Sequence, residues 1–226
     1  MLEKLLTSKG FAFDCETTSE SGKKKDNLHF KRNEIVCMSF AENNISFSLT
    51  TAEIMKQYQV FKELMTNPKY KKIGHNLKFD AKCVTGQFSI KVDGLFYDTH
   101  IASCLLNENE PHGLKALCKK YLGTEWGEWS KEQTIEELLE YCRLDSVNTW
   151  KLALYQKPKL QQQRLDRLNN MEVEVLNVFY NSECRGVHIE LDYLKDLSTK
   201  YGRYIQKIVN WIYRHTQEEF NINSSK

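Results

Sequence analysis

Residues 10–16 read Gly-Phe-Ala-Phe-Asp-Cys-Glu and follow the polar triplet Thr7-Ser8-Lys9. A short apolar and aromatic run after a polar turn is typical of a β-strand. Because successive strand side chains point to opposite faces, Asp14 and Glu16 share one face and Cys15 lies on the other. Two carboxylates this close repel each other unless a cation lies between them or one is protonated. The pattern predicts either a metal-binding strand or, more simply, a solvated acidic turn.

A strand followed by a helix is predicted between residues 70 and 84. The segment Tyr70 to Gly74 predicts a short strand, and Leu77 to Val84 predicts a helix after a turn. Asn76 and Asp80 are four residues apart and therefore lie on one helical face. In the alternative interpretation, Asn76 only caps the helix and Asp80 is a solvated acid that favours the helix dipole.

A longer helix is predicted from Thr134 to Leu152. Thr134 followed by Glu137 forms a capping box, which marks the start of a helix. Tyr141 and Asp145 are again four residues apart and share one face. This pair fits either core packing beside a surface charge or a hydroxyl that holds a water next to a metal bound by the acid.

The three segments together resemble the proofreading-type exonucleases that have Asp-Glu-Asp-Asp sites and a ribonuclease-H-like fold. The Asp-x-Glu, Asn-x-x-x-Asp and Tyr-x-x-x-Asp motifs of that family match, in order, Asp14 with Glu16, Asn76 with Asp80, and Tyr141 with Asp145. Glu140 stands where the histidine subclass carries its base, so the resemblance implies the tyrosine subclass. The order and the separation of all three motifs fit the family.

The resemblance implies a hydrolase that uses two divalent metal ions. Four carboxylates alone would repel a phosphodiester, whereas two bound cations reverse the local field and clamp the attacking and leaving oxygens. All-oxygen ligands favour Mg²⁺ or Mn²⁺. In the implied arrangement Asp14 bridges both ions, Glu16 and Asp145 complete the ligand shell of the first ion, and Asp80 holds the second ion, directly or through water. Tyr141 would orient the attacking water.

Substrate contacts are expected around these motifs. Such enzymes act on a frayed, single-stranded 3′ end that is held through backbone charge and base stacking. The expected contacts near the metals are Thr17, His75, Asn76 and Phe79. Lysines either contact phosphates or form ordinary solvated faces, and the residues in question are Lys78, Lys115, Lys119 and Lys120. The run Lys23-Lys24-Lys25 is interpreted as a mobile hairpin tip, with DNA contact as the alternative.

Further segments resemble the exonuclease domain of family-A DNA polymerases. They are Tyr97-Asp98-Thr99-His100 with the apolar run after it, His112-Gly113-Leu114-Lys115-Ala116-Leu117, and Tyr121-Leu122-Gly123. In that family Asp98 begins the helix after a core strand, and the later segment packs over the substrate groove.

The C-terminal part resembles the opening of the family-A polymerase domain. The matching segments are Met171-Glu172, residues 184–189, Tyr193-Leu194, Leu197-Ser198 and residues 220–226, with Ser225 in place of a proline. We therefore assign residues 1–160 to the exonuclease domain and residues 161–226 to the helical N-terminal part of a truncated polymerase domain. The palm and fingers are expected in the same chain or in a separate chain.

The predicted fold class is α/β, with a ribonuclease-H-like mixed β-sheet flanked by helices and followed by a helical segment. Strands are expected near residues 10–15, 28–31, 35–41, 45–49, 71–74 and 94–97. Helices are expected over residues 52–66 and after Asn76, and helices are expected to dominate from the strand near residues 94–97 to about residue 160. Two long helices are expected over residues 164–183 and 192–218. Pro158 marks the expected domain boundary, and a turn with a short strand is expected over Gly186 to Ile189.

Composition agrees with a globular domain of this size. The chain has 226 residues, 41% of them hydrophobic and only three of them proline. A net charge of +2 gives no overall electrostatic signature of a nucleic-acid binder, although a groove can be locally basic. Seven cysteines without a CxxC pair predict buried thiols in a reducing compartment rather than disulfides or zinc.

The N-terminus shows no signal or transit peptide, and no apolar run approaches membrane length. The expected location is the cytoplasm or nucleoid, which is the host cytoplasm for a phage-encoded protein, with an organelle as the alternative. The expected function is 3′–5′ exonuclease proofreading of DNA replication. Two alternatives remain open at this point: an RNA 3′-exonuclease of the same superfamily, and a catalytically silent domain that retains only the fold.

Overall fold

The computed structural model describes residues 1–19, 30–127, 130 and 133–224. Contacts divide the chain into two compact units, Met1–Arg185 and Gly186–Lys226. Within the described ranges, no helix combines the length and the apolar character that a membrane span requires.

The first unit is built on a mixed five-stranded sheet with the order β3-β2-β1-β4-β5. The three strands β1, β2 and β3 pair antiparallel, whereas β4 and β5 continue the sheet parallel to β1. The bounds are β1 Gly10–Ser19, β2 Asn33–Glu42, β3 Ile45–Thr50, β4 Lys71–Gly74 and β5 Leu95–Asp98. The predicted strand at residues 28–31 is wrong where it can be checked, since Phe30 and Lys31 belong to a turn and residues 28–29 lie outside the described part.

Helices surround the sheet after a short 3₁₀ helix at Leu2–Thr7. The first unit contains α1 Thr51–Lys56, α2 Tyr58–Thr66, α3 Leu77–Phe88, α4 Thr99–Leu106, α5 Leu114–Leu122, α6 Ile135–Gln162 and α7 Asp166–Arg185. The second unit contains α8 Leu191–Thr216. The predicted α/β class with a mixed sheet and flanking helices is confirmed.

Two predicted elements differ from the structure, and α6 ends close to the expected position near residue 160. The helix expected over residues 52–66 breaks at Gln57, whose side-chain oxygen accepts hydrogen bonds from the Met1 amino group and the Leu2 backbone N–H. Helix α6 continues through Pro158 and ends at Gln162, and the chain turns at Arg164, which has a φ of 58°. Residues 186–190 form no strand.

The alternation of β1 decides which helices cover it. Phe11, Phe13 and Cys15 belong to the main core, which includes residues of α2, α3 and α7. Ala12 belongs instead to a smaller cluster that includes Ala153 of α6. Because side chains alternate along a strand, Asp14 and Glu16 extend from the same face as Ala12. The acid pair therefore faces α6.

Candidate active site

Strand β1 carries the first two acids next to helix α6. The ligand atoms of Asp14, Glu16 and Cys142 all lie within 4.8 Å of one another. The Cys142 thiol is 3.8 Å from Asp14 Oδ2. A register shift between Glu16 and Thr17 follows directly after the acid pair. Such a bulge redirects a strand locally, and here it lies where the strand passes the acids.

Helix α6 is anchored beside these acids through its own backbone. Ser39, the antiparallel partner of Asp14 on β2, donates from its hydroxyl to the Cys142 carbonyl oxygen at 2.6 Å. The helix begins with the predicted capping box, which is confirmed at Thr134 and Glu137. This docking brings Asp145, which is only 9% exposed, to the acidic site.

Asp80 reaches the same place from helix α3. Its side chain is 4% exposed, and Oδ1 accepts a hydrogen bond from the Cys15 thiol at 3.0 Å. The turn before α3 passes through Asn76, which has a left-handed backbone with a φ of 60°. Asp98 holds this turn, because its carboxylate accepts from the backbone N–H groups of Asn76 and Leu77 at 3.0 and 2.8 Å.

The four acids affect one another electrostatically. Removal from water raises the pKa of Asp14 well above its usual value, and the charges of Asp80, Asp145 and Glu16 raise it further. Burial also raises the pKa of Asp80. The pKa of Glu16 rises to about 7, first through burial and then through Asp145, while Lys115 opposes the rise. Four carboxylates from three separate elements are thus brought together with little compensating positive charge.

The donor set fits a hard divalent cation. Buried carboxylates whose pKa values are raised by mutual repulsion gain stability when a cation replaces the missing positive charge. Carboxylate oxygens are the ligands that Mg²⁺ and Mn²⁺ prefer. The residues that could hold such ions are Asp14, Glu16, Asp80 and Asp145.

Tyr141 lies at the edge of this site. The Lys115 ammonium is 4.8 Å from the centroid of the Tyr141 ring. Tyr141 also lines a groove of about 380 Å³ together with Trp126, Gly127 and residues of the first turns of α6. The predicted pair of Tyr141 and Asp145 therefore occupies one helix face near the acids, as their spacing implies.

The predicted substrate contacts surround the site but differ in exposure. Asn76 is exposed, whereas Thr17 and Phe79 are partly buried, and Phe79 packs against the main core. His75 Nδ1 lies 2.8 Å from the Thr99 hydroxyl. Burial, with His100 nearby, lowers the pKa of His75 to about 3. His75 is therefore neutral at neutral pH and could contact substrate through a hydrogen bond but not through charge.

The lysines considered for phosphate contact have protein partners. Lys78 pairs with Glu183 at 2.5 Å, Lys119 with Glu125 at 2.9 Å, and Lys120 with Glu110. Lys115 donates to the Gly127 carbonyl. Residues 23–25 lie outside the described part of the chain, so their contact with DNA stays a prediction.

Trp126 was missed from the sequence. Its indole N–H donates to Asp145 Oδ1 at 2.6 Å. It lies on an irregular segment between α5 and α6, where no periodicity indicates the direction of a side chain. Cys142 was missed as a neighbour of Asp14. Its position three residues before Asp145 already placed Cys142 and Asp145 on one face of α6.

Comparison with known proteins agrees with this geometry. The sequence profile of a 3′–5′ exonuclease family of the DNA polymerase A type matches residues 1–161. DNA polymerase I of Synechocystis sp. is 32% identical over 177 residues, which cover 73% of this chain and 18% of that protein. The chain spans about a fifth to a quarter of the length of the DNA polymerase I relatives it matches.

Solved structures share the fold at lower identity. The POL domain of Pol1 from M. smegmatis, in complex with DNA primer-template and dNTP, superposes with a TM-score of 0.77 at 17% identity and covers 99% of this chain and 37% of that one. Escherichia coli RNase D superposes with a TM-score of 0.65 at 12% identity and covers 80% of this chain and 47% of that one. These neighbours confirm the ribonuclease-H-like fold. Since the family profile spans well over half of its residues, the chain belongs to the 3′–5′ exonuclease family of A-type DNA polymerases.

Proposed function

We propose that this chain removes nucleotides from single-stranded 3′ ends of DNA by hydrolysis that depends on two divalent ions, Mg²⁺ or Mn²⁺. The reaction would serve proofreading in DNA replication. One observation supports this most directly: four carboxylates on β1, α3 and α6 are brought together, and burial and mutual repulsion raise the pKa values of Asp14, Glu16 and Asp80. A fold does not maintain such an arrangement for stability, because each buried charge raises the free energy of the others.

The positions of the acids support the following roles. Asp14 lies among the other three acids and would hold both ions, Glu16 and Asp145 would share one of them, and Asp80 would hold the other. Bound divalent ions would make the attacking water more acidic and would stabilise the leaving oxygen. Tyr141, one turn before Asp145, would orient that water through its hydroxyl.

Substrate binding is assigned to residues beside the acids. Thr17 follows the acid pair on β1, and Asn76, His75 and Phe79 surround the turn that leads to Asp80. A neutral His75 suits a hydrogen bond to a sugar or a base. An exposed Asn76 can donate from its amide to a phosphate oxygen.

The polymerase relatives support DNA as the substrate and a polymerase domain as the partner, in the same chain or a separate one. We propose that residues 1–160 form the exonuclease domain and residues 161–226 the helical start of the polymerase domain. The cytoplasm or nucleoid is the location that suits this function.

RNA trimming is the second candidate, because the structural neighbours include RNase D, described as an exoribonuclease involved in structured RNA processing. DNA polymerase I of Synechocystis sp. is 32% identical to this chain, and DNA polymerase I of Chloroflexus aurantiacus covers all of it, which favours DNA. The choice depends on substrate preference alone, since the same acids would serve either reaction.

The test is a trimming assay on 5′-labelled single-stranded DNA and RNA of the same sequence, with Mg²⁺, with Mn²⁺ and with EDTA. We expect a ladder of DNA products shortened from the 3′ end, which disappears in EDTA. The double variant Asp14→Ala, Glu16→Ala should trim neither substrate. Asp192→Ala, which changes an almost fully exposed acid on α8, serves as the control and should trim at the wild-type rate.

Each outcome distinguishes the candidates. Preferred trimming of RNA supports the second candidate over the first. Trimming by the Asp14, Glu16 double variant at the wild-type rate would show that the site is wrong. A wild-type protein that trims neither substrate with either ion would show a catalytically silent domain.

A further inference from the structure

Trp126 makes a direct hydrogen bond to one of the four acids. Its indole N–H lies 2.6 Å from Asp145 Oδ1 and comes from a segment 19 residues earlier in the chain. Asp145 is 9% exposed, so water has little access to compete for that oxygen. A hydrogen bond to an ionised acceptor in such a place is strong and directional.

The segment that carries Trp126 is attached along helix α6. Thr124 Oγ1 donates to Asn148 Oδ1 at 3.2 Å, one turn beyond Asp145. Gly127 reaches the groove that Tyr141 lines, one turn before Asp145. Residues 124–127 thus run alongside α6 in the opposite direction, and Trp126 lies opposite Asp145.

The indole is held from two further sides. It packs against a buried cluster of Leu117, Cys118 and Leu152. The Lys115 ammonium is 5.8 Å from the ring centroid, and it donates to the carbonyl of the next residue, Gly127. A donor held in this way is oriented before any ligand binds, so little conformational entropy is lost when it acts.

A carboxylate can accept about four hydrogen bonds or metal contacts through its two oxygens. The N–H bond to Oδ1 uses one of these positions, restricts rotation of the group and is compatible with a bound cation. Neighbours of this kind tune metal ligands, and their loss typically costs about 10–100-fold in metal affinity. Phe at the same position would keep the ring packing and remove only the donor.

We propose that Trp126 is a positioning residue for the metal site, because its N–H orients the Asp145 carboxylate for a divalent ion. The inference rests on the proposed function, in which Asp145 is a metal ligand. Trp126 does not touch the reacting atoms. The three motifs Asp-x-Glu, Asn-x-x-x-Asp and Tyr-x-x-x-Asp do not include it, and the proposed role runs through Asp145.

The test measures Mn²⁺ binding by titration calorimetry on wild type, Trp126→Phe and a matched control. Trp150→Phe is that control, because Trp150 also lies on α6 and its buried indole N–H has no hydrogen-bond partner within the described residues. We expect Trp126→Phe to bind Mn²⁺ about 10–100-fold more weakly than wild type. Trp150→Phe should bind like wild type. Equal or tighter binding by Trp126→Phe would overturn the inference.

A kinetic readout separates positioning from structure. At low Mn²⁺, Trp126→Phe should trim DNA more slowly than wild type, and saturating Mn²⁺ should restore most of the rate. A loss that excess metal does not restore would show a structural role and would contradict the proposal. If the wild-type protein binds no Mn²⁺, the proposed function fails. If the wild-type protein and Trp126→Phe both bind Mn²⁺ equally well, only the role of Trp126 is contradicted.

A second measurement applies if Trp126→Phe does not fold. The chain has four tryptophans, and replacing Trp129, Trp150 and Trp211 by Phe leaves Trp126 as the sole emitter. We expect Mn²⁺ to change its emission, because the ion binds the carboxylate that the indole contacts. Unchanged emission at Mn²⁺ concentrations that saturate calorimetric binding would overturn the proposal.

Discussion

Two carboxylate environments meet at the start of α3, where Asp98 binds the turn at Asn76 and Leu77 and Asp80 follows on the helix. Asp98, at the end of β5, is 2% exposed and accepts three backbone N–H bonds, from Asn76, Leu77 and His100. Burial raises its pKa, while those three bonds and His100 oppose the rise. Asp98 therefore resembles an internal helix cap that joins the start of α4 to the turn before α3.

The acids around Asp14 have different neighbours: Asp80 and Asp145 are buried and Asp14 and Glu16 are partly buried. Other carboxylates surround Asp14 and raise its pKa further, whereas backbone N–H donors surround Asp98. Burial alone therefore does not distinguish a metal site from a structural acid. The identity of the neighbours does: donors indicate a structural role, and further acids indicate a missing cation.

The largest effect on the trimming rate is expected from Asp80→Asn, which keeps the shape of the side chain and removes one ionisable group. We expect Mg²⁺-dependent trimming to fall by about 10²–10⁴-fold, since a lost metal ligand removes several kcal/mol of transition-state stabilisation. In EDTA the free energy of unfolding should rise by about 1 kcal/mol, because repulsion within the acid cluster decreases. Initial rates and urea unfolding measure the two effects, with Asp93→Asn as an exposed control. A variant that loses stability in EDTA would contradict the comparison.

Asp98→Ala should show the opposite pattern. The change leaves N–H groups at Leu77, Asn76 and His100 without their acceptor, and buried unsatisfied donors cost about 1–3 kcal/mol each before relaxation. We expect the free energy of unfolding to fall by about 3 kcal/mol, whether or not Mg²⁺ is present. Urea unfolding measures the free energy of unfolding of Asp98→Ala. Asp93→Ala, at an exposed position five residues earlier, is the control. An unchanged midpoint would remove Asp98 from its structural role.

The smallest effect concerns pH. Glu16 has a folded-state pKa of about 7 against an ordinary value of 4.5. The folded protein therefore holds a proton that the unfolded chain releases between these values, and metal-free stability falls as pH rises through this window. Glu16→Gln removes this dependence. We expect it to be more stable than wild type in EDTA by about 1–2 kcal/mol at pH 8 and by much less at pH 5.

Chemical unfolding of both proteins at the two pH values, with and without Mg²⁺, tests the sign. Mg²⁺ at pH 8 should remove the advantage of Glu16→Gln, because the ion stabilises the ionised wild-type site. A gain that is the same at pH 5 and pH 8 would show that Glu16 titrates normally in the folded protein.

Local periodicity explains which parts of the fold could be predicted. The alternation in residues 10–16 and the four-residue spacings at Asn76 with Asp80 and at Tyr141 with Asp145 identify faces within single elements. The capping box at Thr134 identified a helix start in the same way. A contact with a distant part of the chain leaves no such period, which is why the break at Gln57, beside the N-terminus, was not foreseen.

By itself the sequence determined the local directions of the acids and, through the order of the three motifs, the family. The tertiary structure alone decided which neighbours each acid meets. Asp98 and Asp80 each look like an acid at a helix start in the sequence, yet Asp98 receives three backbone N–H donors. Asp80 accepts from Cys15 and lies close enough to Asp14 and Glu16 to feel their charges. Trp126 reaches Asp145 only because residues 124–127 dock along α6. The physical reason is that charge stabilisation depends on distances in space, which the spacing of residues along a chain does not contain.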